Sequence, residues 1–273
     1  MNAVTLGPFI LPLERLAGLV CLLVLIGGGW LLSRRVDKRF LRWGELTALA
    51  AAVGARLGFV ALHWDAYAPR PWTVFYIWQG GFTWWAGAAA AALLSFLYFR
   101  ESPRKLLWAC LPLALSAAVW IGYRASTPQS PPPMPLSALT LPQLHGDPVK
   151  LSSLMGRPAV INLWATWCGP CRREMPLLAE TARQRPDVVF IFANQSERAA
   201  AVETYLTEEA LELDRVLLDT AGALGRHFNA IGMPTTLFFD AGGRLREYKV
   251  GELSAAELSH GLRRITGDLP ASR

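Results

Sequence analysis

Trp164-Ala-Thr-Trp-Cys-Gly-Pro-Cys171 follows directly on the apolar run Pro158-Ala-Val-Ile-Asn-Leu-Trp164 and precedes a polar, helix-compatible stretch. The run ahead of the motif carries no charge and is rich in β-formers, the pattern of a buried strand. A strand that ends at Cys-x-x-Cys and then opens a helix places the first sulfur, Cys168, at the helix N-terminus. Unpaired N–H groups and the helix dipole there favour a thiolate, which lowers the pKa of Cys168 from about 8.5 toward about 7. Only the thiolate is nucleophilic. Cys171 lies one turn further in, close enough to displace the first sulfur. The competing reading is half of a zinc site, which needs a second ligand pair. The other cysteines, Cys21 and Cys110, stand apart in apolar runs, and His145, His227 and His260 have no partner motif. Redox chemistry is therefore expected, with no metal and no cofactor beyond a Cys168–Cys171 disulfide.

Outward from the motif, residues 139–273 read as a three-layer α/β domain. Leu139-Thr-Leu and Val149-Lys-Leu flank the turn signal His145-Gly-Asp-Pro148 and predict a short hairpin. Asp187-Val-Val-Phe-Ile-Phe-Ala193 predicts a second buried strand and Arg215–Leu218 a third, with helices over 170–184, 197–210 and 221–229. Thr235-Thr-Leu-Phe-Phe239 and Arg244–Val250 predict paired strands joined by Asp240-Ala-Gly-Gly243. Ser254 and Glu257 form a capping box for a last helix.

Residues 139–268 resemble the thioredoxin fold and, within it, the TlpA/ResA-like reductases tethered on the outer face of bacterial membranes. The resemblance implies that Gly232-Met-Pro-Thr-Thr236 is a cis-proline loop with Pro234 beside the sulfurs. It further implies that Trp167, Met233 and Thr235 meet the substrate, and that Pro176 is a helix-kink proline. Glu174 matches an acidic residue these proteins carry after the second cysteine. It shares a helix face with Cys171 and stands either as that thiol's proton acceptor or as a solvated surface glutamate. Thioredoxins keep a buried Asp beneath the pair where this chain has Asn162, and an amide cannot take a proton. Proton handling then falls to Glu174, water or the helix field.

The other half of the chain is of a different kind. Of 273 residues, 52% are apolar and 11 are Trp, and before about residue 124 the apolar residues form long runs. A spanning helix needs about 20 such residues, and 12–32, 44–63, 82–99 and 106–123 fit, giving a four-helix transmembrane domain over 1–124. The net charge of +6 sits largely in the loops 33–43 and 100–105, whereas 64–81 carries Arg70 as its one basic residue. Basic loops stay cytoplasmic, so both ends of the domain are expected outside. Nucleic acid is not expected, since a basic stripe on a folded surface would be needed and much of the excess lies instead in short loops between apolar runs. No small-residue cleavage site follows the first run, so it reads as a retained helix. Cys21 and Cys110 differ in expected depth by roughly 15 Å, too far for a disulfide. Trp64, Tyr67, Trp72, Phe75, Tyr76 and Trp78 read as an interfacial belt, with a lipid or quinone pocket as the alternative. Gly54 and Gly58 form a close-packing face. Arg56 between them is either a functional charge within the hydrocarbon or a residue reaching the interface or a bundle partner.

Gly54-Ala-Arg-Leu-Gly-Phe59 and Ile77-Trp-Gln-Gly-Gly-Phe-Thr83 resemble the first part of prolipoprotein diacylglyceryl transferase, over residues 6–105. That family has His-Gly-Gly where this chain has Trp85-Ala-Gly87, and its later arginine-bearing helices are absent here. Arg56 is the polar family residue that carries over. The resemblance implies a truncated domain, in contact with membrane lipid, without transferase activity.

Residues 125–138 are proline-rich and read as a semi-rigid linker, whose stretch 125–135 spans roughly 30 Å as polyproline II. Together these readings predict an extracytoplasmic, membrane-anchored protein-disulfide reductase of a bacterial inner membrane, with its thioredoxin-like domain in the periplasm. Family resemblance implies a DsbD- or CcdA-like electron donor and substrates such as apocytochrome c or metal-site cysteine proteins. A disulfide oxidase or isomerase and a lipid transferase are the alternatives.

Overall fold

The computed structural model describes residues 3–6, 9–127 and 139–267. Of the linker, only 125–127 fall among them, and 128–138 lie outside the described residues. The chain divides into two compact units, with the main boundary along the sequence near residue 129, each with its own packing. Ala3–Leu6 (β1) and Phe9–Pro12 (β2) pair as a two-stranded sheet.

The first large unit is helical: α1 (Leu13–Arg35), α2 (Arg39–Leu62), the short α3 (Trp64–Tyr67), α4 (Trp84–Phe99) and α5 (Pro103–Ser126). α1, α2 and α5 are long and apolar enough to cross a membrane. Of the four expected spans, the one over 82–99 forms the shortest helix. α4 has 16 residues and measures about 24 Å at 1.5 Å per residue, short of a ~30 Å hydrocarbon core. α5 also runs on through Arg124 to Ser126, past the expected start of the linker, since the prolines that forbid helix begin only at Pro128.

Close approach holds this unit together. α2 packs on α1 and α4. A Cβ on Gly58 would lie 2.4 Å from the Ala86 Cβ, and one on Gly54 2.5 Å from the Ala90 Cβ, so the expected small-residue face is the α2–α4 contact. Gly29 and Gly44 do the same between α1 and α2. Phe40, Trp43 and Phe99 close one end, and the Trp43 indole donates to Ser95 Oγ at 3.1 Å. Asp37 and Lys105 join the two basic loops at 2.5 Å. Cys21 lies opposite Ser116, to whose carbonyl its thiol donates at 3.3 Å, and both Cys21 and Cys110 are free.

The second unit is a five-stranded sheet in the order β7-β6-β5-β8-β9. Its strands are β5 (Ala159–Trp164), β6 (Val189–Gln195), β7 (Val216–Asp219), β8 (Thr235–Phe239) and β9 (Leu245–Val250). β5, β6 and β7 are parallel, and β8 and β9 add antiparallel at the other edge. The expected hairpin, β3 (Thr140–Leu141) with β4 (Val149–Lys150), bonds to the β7 edge through its connecting loop, the Leu144 N–H donating to the Val216 carbonyl and the Leu218 N–H to that of Pro142. β5 is central, and all its residues are buried. Val160 and Trp164 face α6 (Gly169–Gln184), α7 (Ala199–Glu208) and α9 (Ala255–Thr266). Ala159, Ile161 and Leu163 face the hairpin and α8 (Ala223–His227). Strand parity thus fills two cores, and a strand covered on both faces reads as a continuous apolar run.

Candidate active site

β5 ends at Trp164, and Ala165–Trp167 turn the chain into α6. Cys168 is the N-cap of α6 and is disulfide-bonded to Cys171, with Cα atoms 5.2 Å apart. The Cys171 N–H points at Cys168 Sγ at 3.3 Å, one of the free helix-end donors that favour negative charge on that sulfur. Cys168 is the more accessible of the two, at 5% against 0%. Beside it the Trp167 ring is 69% exposed.

The Met233–Pro234 peptide is cis, as the loop motif implies. Met233 packs partly buried against the core cluster that holds both cysteines. Thr235, in contrast, is wholly buried and donates to the Gly232 carbonyl at 2.6 Å. β8 begins at Thr235, and strand geometry turns this side chain into the protein.

Glu174 is 2% exposed, which removes the solvated-surface reading. Its Oε1 accepts from Asn162 Nδ2 at 2.8 Å and its Oε2 from the Leu253 N–H at 2.6 Å. Asn162 Nδ2 also donates to Thr236 Oγ1 at 3.0 Å. Burial pushes the Glu174 carboxyl up to about 8, against the pull of its two hydrogen bonds and with added repulsion from Glu252 and Glu257. Desolvation disfavours the charged form, and here it outweighs the donors. Sequence reasoning found Asn162 and Glu174 separately but not their contact.

Glu197 was not singled out at all. It accepts the Thr166 N–H at 2.8 Å, the Thr166 hydroxyl at 2.5 Å and Asn194 Nδ2 at 2.6 Å. It thereby clamps the turn that carries Trp167 and Cys168. Nothing in its local sequence marks it, because its partner lies across the β5–β6 pair.

Residues 130–261 match the Redoxin family model. The thiol:disulfide interchange protein DsbE of Pseudomonas fluorescens biotype C is 36% identical over 155 residues, covering 54% of this chain and 85% of that protein. The chain belongs to the DsbE-like thiol:disulfide interchange proteins. Other relatives are the thioredoxin-like protein YneN of Bacillus subtilis, 29% identical over 126 residues (45% of this chain, 74% of YneN), and the thiol-disulfide oxidoreductase ResA of Bacillus thuringiensis subsp. konkukian, 28% identical over 125 residues (45% and 72%). The chain is accordingly a thiol-disulfide oxidoreductase that acts on protein disulfides. Unlike a DsbE-like domain alone, it carries a second half: residues 9–124 match the prolipoprotein diacylglyceryl transferase model.

Arg56, the polar residue carried over in that half, is buried. Its Nε donates to the Val74 carbonyl at 2.9 Å, Nη1 to those of Gly80 and Gly81 at 2.5 and 3.0 Å, and Nη2 to that of Thr73 at 3.3 Å. The rings of Tyr67 and Phe82 lie 5.5 and 5.8 Å from the guanidinium carbon. A planar fork of donors suits such convergent carbonyls. The guanidinium thereby ties α2 to the segment 73–81. It pins the loop between α3 and α4, from which Trp72, Phe75 and Trp78 project exposed.

Proposed function

We propose that this protein is a membrane-anchored, extracytoplasmic reductase of protein disulfides, with Cys168 as nucleophile, Cys171 as resolving thiol and Glu174 as proton acceptor. The observation that carries the reading is the Cys168–Cys171 pair at the start of α6 with Pro234 cis and Glu174 buried on the same helix. In the reduced enzyme the Cys168 thiolate attacks a substrate disulfide. One substrate thiolate leaves, and the other half stays bonded to Cys168. Glu174 takes the proton of Cys171, whose thiolate displaces the second substrate thiolate and closes the protein disulfide. Two electrons pass to the substrate. A group titrating near 8 is well matched to a buried thiol, because proton transfer works best between groups of similar affinity close to operating pH.

Direction rests on the Gly-Pro dipeptide between the cysteines, shared with thioredoxin at about −270 mV rather than with the oxidant DsbA at about −120 mV. The dithiol would be restored by a membrane thiol donor of the DsbD or CcdA type. Apocytochrome c or metal-site cysteine proteins are the substrates that the DsbE and ResA likeness favours. The charge of the short loops supports a bacterial inner membrane with the thioredoxin-like domain in the periplasm. The helical half is read as an anchor without transferase activity, since Trp85 stands in place of histidine and the Arg56 donors are taken up by carbonyls.

Thiol trapping of the full chain in intact cells tests the direction. A mostly reduced pair with a potential below about −220 mV is expected of a reductase with a dedicated donor. A mostly oxidised pair above about −150 mV would reverse the assignment to a disulfide-forming or isomerising enzyme.

A further inference from the structure

Two rungs tie α6 to the segment ahead of α9. On one, Glu174 Oε2 accepts the Leu253 N–H at 2.6 Å. On the other, their chain neighbours pair: Arg173 Nε and Nη2 lie 2.7 and 2.6 Å from one oxygen of Glu252. The ion pair is lopsided, the Arg173 side chain being 54% exposed and that of Glu252 5%. A fixed negative charge is thus held inside the protein beside Glu174, while its counter-charge sits at the water boundary. Such pairs add little net stability, but a buried charge acts on a buried neighbour with little screening. The other polar and charged groups around Glu174 are Cys171 on α6, Asn162 on β5, Thr236 on β8 and Glu257 on α9. The charge of Glu257 is met by Lys249 of β9 at 3.0 Å. Burial comes first in raising Glu174, its hydrogen bonds oppose it, and Glu252 adds to the rise ahead of Glu257.

We propose that the Arg173–Glu252 pair is a positioning and tuning element of the redox site, setting how firmly Glu174 holds its proton and hence the pH at which Cys171 resolves a mixed disulfide. This rests on the reading of Glu174 as the proton acceptor. Glu252 strengthens the hold, and Arg173 moderates it by neutralising Glu252. Neither residue touches the substrate.

The two members therefore act with opposite sign, which a merely structural salt bridge does not. The test uses the reduced full chain in detergent and a symmetric aryl disulfide as probe. The first aryl thiolate released reports attack by Cys168, and the second reports resolution by Cys171. E252Q should move the pH midpoint of the second phase down, and R173Q should move it up, each by about one pH unit, the scale of one poorly screened charge at several ångströms. R173K, which keeps the charge, should restore the parent midpoint. Shifts in the same direction, or none, overturn the proposal. E174Q separates the two failures. If E174Q abolishes the pH dependence of the second phase and the pair variants do not oppose, only the tuning fails. If E174Q keeps the parent profile, Glu174 is not the acceptor and the reading beneath the proposal falls with it.

Discussion

Glu174 shows how one residue couples chemistry to stability. In the folded oxidised protein its carboxyl is raised to about 8, whereas in the unfolded chain it titrates at about 4.3. Between these values the folded state keeps a proton that the unfolded state has released. Stability must therefore be greatest below the unfolded value and fall as pH rises toward 8. The slope is at most about 1.4 kcal/mol per pH unit, so up to about 4 kcal/mol between pH 5 and pH 8. Glu174→Gln should remove this slope, and the variant should gain on the parent as pH rises. Pulse proteolysis of the oxidised full chain across that range measures it; parallel curves would mean that Glu174 is already ionised. The identity of this residue was legible in the sequence, because it shares a helix face with Cys171. Its environment was not. The donor from Leu253 arrives from 79 residues away and the Asn162 amide from 12, and no local pattern encodes either. Thr235 is the opposite case: it sits beside the cis proline in sequence, and strand parity turns its side chain into the core.

At the scale of elements, reading was most successful where one local rule decides. The continuous apolar run of β5 and the Ser254–Glu257 capping box both appear as expected. Fit between elements is where sequence falls silent. Gly261 on α9 looks like an ordinary weak point in a helix, yet a Cβ there would lie 2.4 Å from Phe238 Cε1. Two effects compete on replacement by alanine. Helix propensity favours it by about 1 kcal/mol, and overpacking opposes it by about 1–3 kcal/mol. Phe238 is completely buried in the core between α9 and the sheet, so its ring has no room to swing away. Overpacking should win. Gly261→Ala is expected to lower stability by up to about 2 kcal/mol, a fall in Tm of roughly 3–5 °C per kcal/mol for a domain of this size, read by thermal unfolding. An increase in Tm would show that α9 slides outward at no cost. The α2–α4 contact follows the same logic, and there the glycines were legible, because paired small residues one turn apart have a known use in membranes.

For the whole molecule, the distribution of charge carries the sidedness. Arg34, Arg35, Lys38, Arg39 and Arg42 lie at one end of the helical unit with Arg100, Arg104 and Lys105, and the Asp37–Lys105 pair joins these two loops. The opposite connection, between α2 and α4, carries Arg70 and exposed aromatic residues. Short basic loops are retained in the cytoplasm, so on the proposed topology, with α5 as the last crossing, the dithiol is expected outside, where disulfides form and persist. Single cysteines in a background lacking Cys21, Cys110, Cys168 and Cys171 report this directly. Phe75→Cys and Glu203→Cys, both at exposed positions, should react with a membrane-impermeant maleimide on intact spheroplasts. Glu101→Cys should react only after lysis. The inverse pattern would place Cys168 in the reducing cytosol, where general thiol systems already hold cysteines reduced and a membrane donor would have no task. The short α4 makes the experiment more than a formality. If its 16 residues failed to cross, α5 would run the other way, and Glu101→Cys and Glu203→Cys would both change sides while Phe75→Cys kept its label.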